Sequence, residues 1–244
     1  MRVDTPETSV PDSWDALEGQ IISCHQCPRL VTWREEVART KRRAYRDQDY
    51  WGRPVPGFGD RDARILILGL APGAHGSNRT GRMFTGDSSG VTLFGALYRA
   101  GFANQPTALN RDDGLELSDV FITAVGRCAP PKNRPTQEEL ANCRPFLMRE
   151  IALLTRLEVV LVLGQIAFDG YRRMLKETGY DVPRAKFIHG GDYVLLGPIA
   201  RMDASYHPSR QNTQTGRLTL EMFDAVFAGL RDALGLRRGS CHPG

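Results

Sequence analysis

The stretch ARILILGL (63–70), followed at once by APG, decides the fold class of this chain. Its continuous apolar run is typical of a strand that is buried on both faces, as in a parallel sheet. LEVVLVLG (157–164) has the same character, and DVFITAVGRC (119–128) predicts a further strand. The segments YVLLG and PIARMDAS, within 193–205, are also strand-like. The sequence therefore predicts a mainly parallel sheet.

Helical patterns lie between the predicted strands. Ser88 or Ser89 is a suitable N-cap for the first of them, and Thr136 and Glu139 form a capping box for the second. The predicted helices run over about 88–100, from 136 onward, over about 165–176 and over about 217–234. Alternating strands and helices predict an α/β protein, a three-layer α/β/α sandwich around the mainly parallel sheet. We expect one domain over 1–244, with loosely attached arms at 1–20 and 236–244.

Bulk composition excludes several classes of protein. Of 244 residues, 41% are hydrophobic and 25% charged, which is ordinary for a globular chain. No apolar run approaches the roughly 20 residues of a membrane span, and the N-terminus lacks a signal-type apolar segment. We therefore expect a cytoplasmic protein that keeps its thiols reduced and does not bind membranes. We also expect it to be a monomer.

The net charge of +4 is too small to indicate nucleic-acid binding by itself. Its distribution is more informative, because five cations lie between Arg39 and Arg46, ahead of Tyr50 and Trp51. This run is either a solvated surface or a patch that contacts phosphates.

Three loops rich in Gly, Pro, Asn and Arg follow the predicted strands, over 69–87, 127–136 and 205–219. In open α/β sheets the ligand site lies outside the carboxyl ends of the strands, so one cleft can collect all three. The five glycines of the first loop match neither the dinucleotide fingerprint nor a Walker A loop, and they favour a backbone-lined binding surface. His207 in the third loop is either structural or catalytic, since a neutral imidazole can donate a hydrogen bond to a developing anion.

Four cysteines provide a candidate metal site. Cys24 and Cys27 form a C-x2-C pair, and Cys128 and Cys143 lie far along the chain. Zinc and a [4Fe–4S] cluster both accept four thiolates, and the spacing does not decide between them. Cys241 in the C-terminal tail is left over.

Several segments together resemble the uracil-DNA glycosylase superfamily, most closely its type B branch, often called family 5. The resemblance covers most of the chain from about residue 24 to 220. It is carried by CHQCPRL (24–30), KRRAYRDQDYWGRPVPGFGD (41–60), GLAPGAHGSNRTGRMFTGD (69–87), RCAPPKNRPT (127–136) and HPSRQNTQTGRLT (207–219).

The resemblance implies a uracil-DNA glycosylase-like fold and hydrolysis of the N-glycosidic bond of deaminated bases in DNA. It also implies a structural [4Fe–4S] cluster on Cys24, Cys27, Cys128 and Cys143. Sister branches carry an acid or a polar residue early in the first loop to activate water. Here Leu70 follows Gly69, and this absence is the mark of the type B branch. The group that activates water is therefore left open.

The roles follow from base flipping, in which the enzyme extrudes the damaged base into a pocket. Asp87 is expected to stabilise positive charge on the sugar and to position water, although it could simply cap the next helix. His207 is expected to donate to the departing base, and Asn133 to bond the base or the water, with loop capping as its alternative. Phe84 is expected to stack on the base or else to pack in the core. The backbone of Gly69, Leu70 and Ala71 is expected to line the pocket.

The segment 209–217 resembles an intercalating loop that fills the gap left by the base, although it could be an idle exposed loop. Arg210, Gln211 and Asn212 are expected to probe the minor groove and Arg217 to lie near a phosphate. Arg42 and Arg43 are expected to contact phosphates as well. Because the pocket contains few acids or amides, we expect tolerance of several deaminated bases, uracil first and hypoxanthine next. We also expect the enzyme to be prokaryotic and to act at the nucleoid.

Three rival interpretations stay open. The chain could be a non-catalytic iron–sulfur protein that binds nucleic acid with the same fold. It could be an iron–sulfur electron carrier, although no cofactor contact is recognisable. A glycosylase that links covalently to its product would need a histidine in a KRRIH-like insert, which is absent from the sequence.

Overall fold

The computed structural model of the chain describes residues 13–195, 199 and 201–236. Its helices are α1 (Trp14–Ile22), α2 (Pro28–Thr40), α3 (Ser77–Thr80), α4 (Ser88–Arg99), α5 (Gln137–Leu153), α6 (Gln165–Glu177), α7 (Arg210–Gln214) and α8 (Leu220–Ala233). Its strands are β1 (Phe58–Gly59), β2 (Ile65–Gly69), β3 (Val120–Ala124), β4 (Val159–Leu163), β5 (Asp192–Val194) and β6 (Arg201–Ser205).

The strands form one six-stranded sheet in the order β1-β3-β2-β4-β6-β5. The four inner strands are parallel, and the two short edge strands are antiparallel to their neighbours. In the register of the inner strands, Ile67 lies opposite Ile122 on one side and Leu161 on the other. The predicted mainly parallel sheet is confirmed.

Side chains that alternate along β2 pack on opposite helix layers. Ile65 and Ile67 belong to the core shared with α4 and α8, and Leu66 and Leu68 to the core shared with α5 and α6. Because successive strand side chains point to opposite faces, a wholly apolar strand is needed to fill both cores. The chain is therefore a three-layer α/β/α sandwich, as predicted.

The boundaries of three helices depend on their caps. The capping box of Thr136 is present as predicted. Helix α4 is capped by the Asp87 carboxylate and not by Ser88 or Ser89. The last helix begins at Leu220 and not at 217, because Thr219 caps it. Residues 210–214 form the separate helix α7.

The N-terminal arm is only partly as predicted. Leu17 and Ile21 of α1 are 0% and 1% exposed and pack with Phe146 of α5. The expectation of a loosely attached arm over 1–20 is therefore wrong from Trp14 onward, because α1 has an apolar face that α5 covers. Residues 1–12 and 237–244, which include Cys241 and most of the predicted C-terminal arm, lie outside the described residues.

None of the helices in the described part of the chain combines the length and the apolar character that a bilayer-spanning segment requires.

Candidate active site

A cavity of about 270 Å³ opens at the carboxyl edge of the sheet. The first loop, the second loop and the loop after β6 all contribute to its walls. The sequence-predicted residues that line it are Leu70, Ala71, Phe84, Asp87, Asn133 and His207. Side chains from three distant segments thus converge on one space, at the edge where open α/β sheets bind ligands.

Asp87 caps a helix and lines the cavity at the same time. Its Oδ1 accepts hydrogen bonds from the backbone N–H groups of Ser89 (3.0 Å) and Gly90 (3.1 Å). Its Oδ2 faces Gly76, where an added Cβ would lie 2.2 Å from that oxygen. Burial raises the pKa of Asp87, while the two N–H groups and the charge of Arg79 act in the opposite direction. Capping and a catalytic position are therefore compatible, because each uses a different carboxylate oxygen.

Phe84 and His207 form a stacked pair in the cavity wall. Their ring centroids are 5.7 Å apart with an interplanar angle of 28°. Phe84 also belongs to the core under α4 and has a φ of +53°, an uncommon conformation for a bulky residue. Burial lowers the pKa of His207 to about 4. The imidazole is therefore neutral near pH 7, with one ring nitrogen able to donate.

Asn133 enters the cavity from a tight turn. Lys132 and Asn133 have φ values of +55° and +54°, in the left-handed region that asparagine tolerates better than most residues. The Asn133 backbone N–H donates to the carbonyl of Pro130 (3.1 Å). Asn133 is exposed and contributes to the lining of the cavity.

The backbone predicted to line the pocket divides into two parts. Leu70 and Ala71 lie in the cavity wall. Gly69 does not, because the Phe84 ring packs against it, and a Cβ there would lie 2.8 Å from the nearest ring carbon. The carbonyls of Gly69 and Leu70 accept hydrogen bonds from Val125 (3.0 Å) and Gly126 (2.9 Å). These two carbonyls therefore hold the loop to β3.

The predicted DNA-contacting residues lie in two regions. Arg210 and Gln211 are exposed on α7, next to the cavity, whose lining includes Ser209. The Asn212 side chain instead donates from Nδ2 to the His207 carbonyl (2.8 Å), which fixes the His207 loop. The guanidinium carbon of Arg217 lies 4.5 Å from the centre of the Tyr206 ring.

Arg42 and Arg43 are exposed where α2 leads into a 3-10 turn at Arg43–Tyr45. Arg42 is close enough to His75 of the first loop for its charge to help lower the pKa of that histidine, for which burial is the larger cause. The basic segment therefore lies on the side of the first loop.

The four cysteines line a second, small cavity, together with Arg34 and Arg127. As the side chains stand, no group of three or more His, Cys, Asp or Glu residues in the described ranges could hold a single metal ion. Four thiolates around one zinc would lie about 3.8 Å apart. The thiolates of a [4Fe–4S] cluster bind different irons and lie farther apart, and the four cysteines are candidate ligands for either group.

The surroundings of the cysteine cavity supply hydrogen-bond donors. The Arg34 side chain is 1% exposed and donates to Cys128 Sγ (3.0 Å). Asn142 donates to Cys27 Sγ (3.4 Å). The buried Nε atoms of Arg34 and Arg127 have no partner among the described residues. Such unmatched donors suit an anionic group rich in acceptors.

Burial raises the pKa of Cys143 to about 12. The thiol of this cysteine is therefore protonated near neutral pH unless a bound cation stabilises the thiolate.

Sequence reasoning did not single out Arg79 or Arg34. Both are buried, with Arg79 in α3 of the first loop and Arg34 in α2. Arg79 lies in the glycine-rich motif, but the spacing gives no reason to separate it from Arg82 in the same loop. Their contacts distinguish them, since Arg79 donates to the His75 and Gly86 carbonyls and Arg34 to Cys128 Sγ, and only the folded chain reveals these contacts.

The sequence profile of the Uracil DNA glycosylase superfamily matches residues 56–231. The type-5 uracil-DNA glycosylase of Thermus thermophilus is 51% identical over 91% of this chain and 99% of its own length. That of Mycobacterium leprae is 48% identical over 93% of this chain and 97% of its own. That of Pyrobaculum aerophilum is 46% identical over 92% and 96% respectively.

Proposed function

The chain belongs to the uracil-DNA glycosylase superfamily, and we propose that it is a DNA-repair enzyme that hydrolyses the bond between uracil and deoxyribose. The observation that carries the proposal is the cavity in which Phe84, Asp87, Asn133 and His207 meet. Its volume of about 270 Å³ lies just below the usual range of small-molecule sites and suits one flat ring. A base held there must have left the duplex stack, at a cost of roughly a few kcal/mol.

The reaction places positive charge on the sugar and negative charge on the leaving base. Asp87 Oδ2, the carboxylate oxygen that the helix cap leaves over, stabilises the sugar cation and orients the attacking water. The neutral His207 donates its N–H to a carbonyl oxygen of the departing base. Asn133 hydrogen-bonds the base or the water. The base stacks against Phe84, which His207 supports from one side.

We infer a monofunctional hydrolase with a broad base spectrum. Asn133 is the only side-chain amide, and Asp87 the only carboxylate, among the described residues that line the cavity. With so few groups to read the edge of a base, the site accepts hypoxanthine in addition to uracil. A duplex with one hypoxanthine tests this breadth, and release of uracil alone would refute it.

The cysteine cavity is the proposed seat of a structural [4Fe–4S] cluster, with Cys24, Cys27, Cys128 and Cys143 as ligands. When bound, the cluster cross-links the start of α2 to the second loop and to α5. Arg34 and Asn142 would hydrogen-bond the ligand sulfurs. Iron content and visible absorbance of the purified protein test this assignment, and stoichiometric zinc without iron would replace it.

Exposed arginines, together with Gln211, are the proposed contacts to DNA. Arg210 and Gln211 on α7 enter the minor groove beside the flipped base, and Arg42, Arg43 and Arg217 contact phosphates. Asn212 contributes by holding the His207 loop. Contacts to phosphates make the affinity fall steeply with salt.

The deciding experiment is a single-turnover assay on an end-labelled duplex that carries one uracil. Alkali converts each abasic site to a strand break, so the break reports base release directly. We expect breaks with the wild-type protein and much slower release with Asp87→Asn at unchanged DNA affinity. The same duplex with thymine is the control. DNA binding without strand breaks would favour the non-catalytic alternative. Absence of DNA binding, together with a protein that is reduced at mild potential as followed by its absorbance, would favour the electron carrier. Four further properties of the chain stay predictions. They are its organisation as one domain, its monomeric state, its cytoplasmic location and its association with the nucleoid.

A further inference from the structure

Arg79 makes an unusually complete set of contacts inside the first loop. It is 8% exposed. Its Nε donates to the His75 carbonyl (2.8 Å), one terminal nitrogen to the Gly86 carbonyl (2.8 Å) and the other to Gln48 Oε1 (2.5 Å). Its guanidinium carbon lies 4.1 Å from the centre of the Tyr45 ring. All three nitrogens of the guanidinium and one of its faces therefore have partners.

These contacts close the first loop on itself. His75 lies one residue before Gly76, and Gly86 is the residue directly before Asp87. One rigid, planar group thus joins residue 75 to residue 86 within the loop and sets the position from which Asp87 projects. The fit is close, because a Cβ at Gly86 would lie 2.3 Å from the arginine nitrogen.

Arg79 is also the cation that acts on Asp87. Burial raises the pKa of Asp87, and Arg79 is the charged side chain that opposes this shift. Across the cavity, His207 is the other ionisable lining group of the described chain, and it is neutral near pH 7. His75 lies in the same loop, and burial lowers its pKa as well. The lining residues of α4 and the second loop bring no further charge.

We propose that Arg79 is a positioning residue that holds Asp87 at its proposed catalytic position. The proposal rests on the proposed role of Asp87. It names a second residue on which the rate of base release depends, although that residue does not line the cavity. Its effect must therefore pass through Asp87.

A double-mutant cycle tests this dependence. We expect Arg79→Gln to slow single-turnover release of uracil by up to about 10²-fold, the cost of a misplaced group, with DNA affinity little changed. The acid limb of its pH–rate profile should move to higher pH, because the carboxylate loses its neighbouring cation. Added to Asp87→Asn, Arg79→Gln should have almost no further effect, since residues that act as a unit are not additive.

Two further variants separate positioning from general damage. Arg82→Gln removes another buried arginine of the same loop, one that pairs with Asp113 at 2.9 Å and contacts neither Gly86 nor His75. It should lower the melting temperature without moving the pH profile. Arg79→Lys keeps the cation but cannot make all the contacts, so its rate should fall while its acid limb stays near that of the wild type.

The outcomes distinguish this inference from the proposed function. If Asp87→Asn is slow but Arg79→Gln behaves like Arg82→Gln, or if the two losses add fully, Arg79 is only structural and the inference is wrong. If Asp87→Asn releases uracil at the wild-type rate, the proposed role of Asp87 fails, and the inference fails with it.

Discussion

Gly76 controls the space available to the Asp87 carboxylate, whose catalytic role is proposed above. A Cβ at this position would lie 2.2 Å from Oδ2 and 2.8 Å from Cγ of Asp87. Ordinary contact begins near 3.4 Å, so in Gly76→Ala the carboxylate must retreat by about 1.2 Å. It cannot retreat freely, because Oδ1 is held by the N–H groups of Ser89 and Gly90.

Two effects of different size follow from that displacement. Loss of the cap bonds would cost about 1 kcal/mol of folding stability. A shift of about 1 Å in a positioned group can slow the chemical step by about 10²-fold. We therefore expect Gly76→Ala to fold, to bind DNA with nearly unchanged affinity, and to release uracil about two orders of magnitude more slowly.

Gly73 provides a graded control for the same carboxylate. A Cβ there would lie 3.0 Å from Asp87 Oδ2, which demands a shift of only about 0.4 Å. Single-turnover rates on a uracil duplex should therefore fall in the order wild type, Gly73→Ala, Gly76→Ala, with circular dichroism confirming that both variants fold. The reasoning is refuted if Gly76→Ala is as fast as the wild type, or if Gly73→Ala is the slower variant.

Three other results are expected. Burial raises the pKa of Asp87, so the carboxylate form is lost as pH falls through that raised pKa. The single-turnover rate should therefore decline at a pH above the ordinary carboxyl range, and Asp87→Asn should lack this decline. Glu150→Gln leaves the cation of Arg127 buried and unpaired, so urea denaturation should show a loss of about 3–5 kcal/mol. Arg42→Ala and Arg43→Ala should each reduce the salt dependence of DNA binding, measured as the slope of log K against log salt, by about 1.

The stability prediction and the salt prediction each have a matched control variant. Glu158 makes only a distant, half-exposed ion pair with Arg64 (3.9 Å), so Glu158→Gln should cost less than about 1 kcal/mol. Arg99 lies at the end of α4 farthest from the cavity and pairs with Asp224, so Arg99→Ala should leave the salt slope unchanged. Equal effects of target and control would contradict the prediction concerned. A rate that does not change with pH down to the ordinary carboxyl range would contradict the first.

The sequence predicts the layers of the fold better than the ends of its elements. Strands such as 65–69 are wholly apolar, and only burial on both faces accounts for that pattern. The segment 210–217 has no apolar periodicity, so nothing in it separates α7 from the start of α8.

At the site, the sequence identifies residue types but not how their atoms are used. It presents helix capping and catalysis by Asp87 as alternatives, whereas the cap uses only Oδ1 and leaves Oδ2 for the proposed catalytic role. It also places Gly69 in the pocket wall. The Phe84 ring instead packs against Gly69, a contact that the sequence does not indicate.

The cysteine cavity and the catalytic cavity are connected through α2. Arg34 donates to Cys128 Sγ, and its backbone carbonyl accepts a hydrogen bond from the Asn78 side chain (3.2 Å). Asn78 directly precedes Arg79 in α3, and its own carbonyl accepts from Gly52 (3.0 Å). A group that fixes the cysteines would therefore also fix the helix that supports the first loop. If the proposed cluster and the proposed role of Asp87 both hold, a cluster without any chemical role would still affect the rate of base release through this connection.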